Sequence, residues 1–223
     1  MRVMHNAVYH SYHPKHHIAQ REEFAVVNAA YILQETQEFV LSEMEKNDAA
    51  HDREHVYRVV ALAKTLCRTY PQADGFRTEL LAWLHDMSDD KLSSNVGVER
   101  VSEFLRRCHT PEEDIRFVTE AIPYISYRKH PHLSEEVPLE IRIVQDADRI
   151  DAMGAVGVAR AFAYGGAKHR SLADSLMHFD EKLLRLYDLL STEEAKRIAR
   201  PRHDFLQVFY AQYRAEVGRE DVG

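Results

Sequence analysis

The stretch "LLAWLHDMSDDK", residues 80–91, decides how this chain is read. Its first half is apolar at nearly every position, with Leu80, Leu81, Trp83 and Leu84, and its second half holds His85, Asp86, Asp89, Asp90 and Lys91. A short helix that is apolar all round is held by burial, so its polar end is aimed in a fixed direction. Neighbouring residues on a regular helix point about 100° apart. His85 and Asp86 can therefore address one point only where the helix runs out, and that is where they stand.

Working outward, the whole chain has the period of helices. Residues 19–45 place Phe24, Val27, Tyr31, Phe39 and Val40 near helical spacing. "EHVYRVVALAKTLCRTY" sets Val56, Val59, Val60, Ala63 and Leu66 on one stripe, and "TYPQADG" is expected to end that helix with Pro71 and Gly75. Residues 77–85 read as a short buried helix, and "NVGVERVSEFLRRC" as the next. Thr110-Pro111-Glu112-Glu113 is a helix start that carries residues to about 127. "RKHPHLSEEVP" reads as a polar loop, residues 139–150 as helix, and "GAVGVARAFAYGG" as a helix of small residues that allow close packing. "LADSLMHFDEKLLRLYDLL" and "STEEAKRIARPRHDFLQVFYAQYRAEV" close the chain; Ser191 and Glu194 fit a capping box, and Pro201 predicts a kink or break near Ala199–Arg200. No strand pattern, repeat or flexible linker interrupts this. The expected fold is all-α: a single helical-bundle domain over residues 19–223, preceded by a histidine-rich arm over residues 1–18.

The bulk properties narrow the function. With 223 residues and 45% hydrophobic content, the chain can bury a full core. A formal charge of −7 gives no broad basic face, so no nucleic-acid partner is expected, although a local basic pocket for a phosphorylated small molecule is compatible. No apolar run reaches the ~18 residues of a membrane span, and "MRVMHNAVYHSYHPKHH" lacks a signal peptide's apolar stretch; a cytoplasmic location is the default expectation. Cys67 and Cys108 lie in apolar helical patterns, as buried thiols do. Five of the 14 histidines fall in the first 17 residues. Such a tract can bind metal, but the spacing has no paired-ligand regularity, and an arm that packs locally is the preferred reading.

His55, early in its helix, and Asp148, in "QDADRID", join His85 and Asp86 as the groups that carry chemistry. Imidazole nitrogen with carboxylate oxygen suits divalent ions of the Mn, Fe, Co or Zn kind. Each residue also has a plainer reading: His55 as a cap or packed side chain, Asp86 as a turn residue, the Asp146, Asp148 and Asp151 run as a solvated face. Against the last, Asp148 lies in the otherwise apolar "IRIVQDADRIDAMGAVGVA", where a buried carboxylate needs a cation or donors.

"HDREHVYRV", "LAWLHDMSDDK" and "IVQDADRIDAMGAVGVARAF" together resemble the HD superfamily of metal-dependent phosphohydrolases, whose pattern is H…HD…D on an all-helical fold. "YGG" and "HFDEKLLRLYDLLSTEEAKRIARPRH" extend the resemblance to a subgroup of small stand-alone bacterial HD hydrolases, similar to nucleotide pyrophosphohydrolases and phosphatases that use Mn or a similar ion. It covers about residues 51–216. The resemblance implies His55, His85, Asp86 and Asp148 as ligands of one divalent ion, with Mn favoured among Mn, Mg, Fe, Co, Ni and Zn. It implies a phosphorylated substrate, in particular a nucleotide, and no membrane partner. His51, one turn before His55, supports a ligand from behind, contacts a phosphate, or is simply a helix-start histidine. Asp146 points nearly opposite Asp148 and is not expected to be a ligand; Asp151 shares Asp148's side and is expected to support it. Two-metal members carry two further histidines, the second often just before a serine; here Ile125 precedes Ser126, and His109 and His130 stand at the ends of that helix, which favours one ion.

On that reading Asp89 orients or deprotonates the attacking water, or protonates the leaving oxygen. Lys91, Lys182 and Arg58 face phosphate charge, with Arg58 alternatively fixing a ligand carboxylate. His178 and Arg185 lie near Lys182 in sequence, and Arg149 is a weaker candidate. The competing functions are an HD-type di-iron oxygenase, which needs the additional histidines, and a non-catalytic regulatory or binding HD domain.

Overall fold

A computed structural model of the chain describes residues 14–46, 53–87, 97–127 and 129–217. Helix α1 spans Pro14–Lys46, α2 Arg53–Cys67, α3 Gly75–Leu84, α4 Val98–Arg107 and α5 Glu112–Ile125. They are followed by α6 (Leu139–Asp151), α7 (Gly154–Ala167), α8 (Leu172–Glu181), two 3-10 turns (Leu183–Arg185 and Tyr187–Leu189) and α9 (Glu193–Val217). No strand occurs among the described residues, and none of their helices is long and apolar enough to cross a membrane.

Helix α3 is the centre. Thr78, Leu80, Leu81, Ala82, Trp83 and Leu84 are all buried, because α1, α2, α5 and α6 pack around it. Each large apolar side chain removed from water contributes roughly 1.5–3 kcal/mol, so α3 cannot rotate without a large loss. Its start is fixed as well: the Asp74 carboxylate accepts from the Arg77 amide at 3.0 Å, and the Arg77 guanidinium donates to Asp114 of α5 at 2.6 Å. The stripe of α2, Val56, Val59, Val60, Ala63 and Leu66, is buried as its period requires, and α2 lies along α3 and α6. Cys67 and Cys108 are free thiols.

Five expectations are corrected. Gly75 does not stop α2; it opens α3 behind the Asp74 cap, while α2 has already ended at Cys67. The stretch after Glu181 leaves the α-helix for two 3-10 turns, with Leu183 buried in the first and Leu186 buried between them, a spacing of three that suits a three-residue turn. Pro201 does not break α9, which runs from Glu193 to Val217; Pro201 is exposed. The Ser191–Glu194 capping box is absent. Asp146 of α6 caps α9 instead, accepting from the Ser191 and Thr192 amides, both at 2.9 Å, and from the Thr192 hydroxyl at 2.8 Å. A capping box does form one helix earlier, between Ser171 and Asp174. Helix α1 begins at Pro14, ahead of the expected start at Ala19.

Candidate metal centre

Three helices bring the four sequence candidates to one place. His55 comes from the first turns of α2, His85 caps the C-terminus of α3 with Asp86 directly after it, and Asp148 comes from the last turn of α6. Donor atoms of His55, His85 and Asp148 all lie within 4.8 Å of one another. An Asp86 carboxylate oxygen lies 3.5 Å from His55 Nε2 and 3.5 Å from His85 Nε2. Asp148 Oδ1 is 3.4 Å from His55 Nε2. The imidazoles meet edge to face, ring centres 5.4 Å apart.

The rings are turned inward by what holds their other nitrogen. His85 Nδ1–H donates to the Ala82 carbonyl at 2.8 Å, which leaves its Nε2 as the lone-pair nitrogen. That Nε2 is buried, and no hydrogen-bond partner reaches it among the described residues. An uncompensated buried acceptor is costly, and beside two carboxylates and a second imidazole it fits a divalent cation. His55 Nδ1–H donates to Asp151 Oδ2 at 2.7 Å. Burial alone would lower the His55 pKa, but the hydrogen bonds from its ring to Asp151 and Asp86 and the charge of Asp148 push it up to about 9.

Asp151 is fully buried. Burial alone would raise its pKa; the bonds from His55 and Arg58 and the charge of Arg160 hold it at about 2. Arg58 donates to it through Nε at 2.6 Å and Nη2 at 3.1 Å; the carboxylate it binds is Asp151, which is not one of the four expected ligands. Arg149 is buried and turned away from the phosphate role, donating to the carbonyls of Pro131, at 2.7 Å, His130 and Leu189. Together with Gln145, whose amide donates to the Tyr124 and His130 carbonyls, it pins the α5–α6 loop. Lys182 ends α8, its ammonium 5.0 Å over the Tyr127 ring. Burial and the nearby Lys182 charge lower the His178 pKa. Ile125 is a buried apolar residue at the end of α5, and His130 stacks on Tyr124 with ring centres 4.5 Å apart. His51, Asp89 and Lys91 lie outside the described residues.

Sequence reading missed two groups. Arg160 of α7 donates to Asp151 at 2.8 Å; its signal was a single cation in a helix of small and apolar residues. Asp146 is fully buried as the cap of α9, and nothing local announces a partner 45 residues away.

The HD domain family matches residues 53–153, which hold all four donors. The uncharacterized protein YpgQ of Bacillus subtilis is 37% identical over 186 residues, spanning 80% of this chain and 90% of YpgQ. The crystal structure of YpgQ in complex with ADP superposes with a TM-score of 0.70 at 33% identity, over 85% of this chain and 100% of that one. That of an HD-superfamily hydrolase from Bacillus thuringiensis gives 0.66 at 36% identity, over 84% and 97%.

Proposed function

The chain belongs to the HD-domain family, and from that premise we propose that it is a metal-dependent phosphohydrolase cleaving a phosphate ester or phosphoanhydride bond of a nucleotide. The observation that carries this reading is the convergence of His55, His85 and Asp148 donors, with Asp86 between the rings, on a buried His85 Nε2 that forms no hydrogen bond among the described residues. The two imidazoles would bind through Nε2 and the two aspartates through one oxygen each. A divalent ion held there supplies a water of lowered pKa and draws charge from a phosphoryl oxygen. Mixed imidazole and carboxylate donors suit Mn, Fe, Co or Zn, with Mg and Ni as further candidates and Mn favoured.

The chain's own residues do the rest. Asp89, three positions past Asp86, manages the proton of the attacking or leaving oxygen. Lys91, Lys182 and His51 meet phosphate charge, while Arg58 acts through Asp151. The nucleotide class is supported by the ADP held in the YpgQ crystal structure, and hydrolysis by the likeness to the Bacillus thuringiensis hydrolase. A nucleotide substrate goes with a cytoplasmic location. Ile125 at the end of α5 and the stacking of His130 on Tyr124 support one ion rather than two, and so speak against a di-iron oxygenase. The presence of all four donors speaks against a purely regulatory domain.

The test is a screen for phosphate and pyrophosphate release from nucleoside mono-, di- and triphosphates with Mn, Mg, Co or Ni. Release that needs the ion and stops on chelation is expected. Two bound irons with substrate-dependent oxygen uptake and no phosphate release would overturn the reading.

A further inference from the structure

We propose that Asp151 is the positioning residue of this centre, and that Arg160 of α7, with Arg58, is the counter-charge that lets it act; the proposal rests on the metal reading above. Asp151 collects donors from two other helices. Its Oδ2 accepts from His55 Nδ1 at 2.7 Å, Arg160 Nη1 at 2.8 Å and Arg58 Nη2 at 3.1 Å, and its Oδ1 accepts from Arg58 Nε at 2.6 Å.

The two histidines of the site are oriented by different means. His85 is fixed by a backbone carbonyl of its own helix, an uncharged acceptor that comes with the fold. His55 is fixed by a buried carboxylate from α6. A carboxylate holds imidazole N–H more strongly than a carbonyl does, and it raises the basicity of the nitrogen on the far side of the ring. That far nitrogen, Nε2, is the one within 3.4 Å of Asp148 and 3.5 Å of Asp86. Alone in the interior, Asp151 would be costly and would compete for the His55 proton. With two guanidiniums bound it stays ionised and fixes the ring with the proton on Nδ1.

If Asp151 served only to join helices, the bidentate Arg58 would satisfy it. Arg160 comes from α7, which follows α6 after two residues and opens at Gly154, whose φ of 68° is a conformation side chains rarely adopt. A second helix thus adds a cation to the carboxylate that holds the His55 ring.

Calorimetric titration of the metal-free protein with Mn²⁺ tests this, comparing wild type, Asp151→Asn and Arg160→Ala. Asp151→Asn is expected to weaken Mn²⁺ binding by about 10–100-fold, and Arg160→Ala in the same direction by about three- to tenfold. Arg160 is partly exposed, so its variant keeps the test alive should Asp151→Asn fail to fold. A packing role would leave the His55 ring unchanged, so nitrogen-15 spectra of the Zn²⁺-loaded protein give an independent readout. Wild type should keep a slowly exchanging proton on His55 Nδ1, and both variants should lose its protection. Wild-type binding with equally tight binding and an unchanged ring in the variants overturns this proposal and leaves the metal reading standing. Absence of Mn²⁺ and Zn²⁺ binding by wild type overturns both.

Discussion

Asp146 and Asp151 share helix α6 and are both fully buried, yet one faces backbone amides and a hydroxyl while the other faces two guanidiniums and an imidazole. Burial pushes Asp146 up to about 6, and the bonds from Ser191 and Thr192 and the nearby Arg149 charge only partly counter it. The same burial penalty acts on Asp151, but charged donors overcome it and hold the carboxyl at about 2. Desolvation is common to both; the partner decides the charge state. Asp146 fastens α9, and Asp151 holds the ring of His55.

The largest effect that can break this contrast is on activity. Asp148, between the two, offers a donor atom to the centre. Asp148→Ala is expected to cost ion-dependent phosphate release about 10³-fold or more, whereas Asp146→Asn should leave turnover per folded molecule within about twofold. Comparable losses in the two variants would mean that Asp146 belongs to the site. Metal linkage should follow: Mn²⁺ at about 100 times its dissociation constant adds about 2.7 kcal/mol to wild-type stability, measured by urea unfolding with and without chelator. Asp148→Ala should lose most of that gain.

Next in size are two pH dependences of opposite sign in the metal-free protein. Asp146 is raised from 3.8 to about 6. Its stabilising contribution is complete below its ordinary value and is lost as pH rises through about 6. Asp151 is lowered from 3.8 to about 2. Its contribution is complete above the ordinary value and is lost as pH falls through about 2. Wild type should therefore lose ~3 kcal/mol relative to Asp146→Asn on going up through the first window, and ~2 kcal/mol relative to Asp151→Asn on going down through the second. Urea midpoints across pH give both difference curves; slopes of the same sign would refute the contrast. The smallest expected change is Thr192→Val, which removes one 2.8 Å hydrogen bond to Asp146 and should cost ~1 kcal/mol in thermal or urea unfolding.

Legibility followed the range of the interaction. The α2 stripe and the apolar α3 are local periodicities, and the structure buries them as the sequence requires. The gathering of His55, His85, Asp86 and Asp148 was accessible from motif spacing, because each sits where its helix begins or ends. Asp151 was accessible only as a residue on Asp148's side of α6. Its partners were not, since Arg58 and His55 lie 93 and 96 positions away. The capping of α9 was misread because Ser191 and Glu194 look self-sufficient. The Glu194 side chain binds Arg197 instead, and its amide meets the Tyr70 hydroxyl at 3.2 Å. A buried carboxylate from α6 displaced the local box.

By itself the sequence determined that the chain is helical, that the helix ending in His85 is buried, and which four side chains carry donor chemistry, since periodicity and spacing are properties of neighbours along the chain. The tertiary structure decided which nitrogen of each histidine faces the centre, which carboxylate on α6 is charged and which is raised, and that α7 contributes Arg160. Those outcomes depend on burial and on charges brought together from distant segments, and neither is written in any one segment.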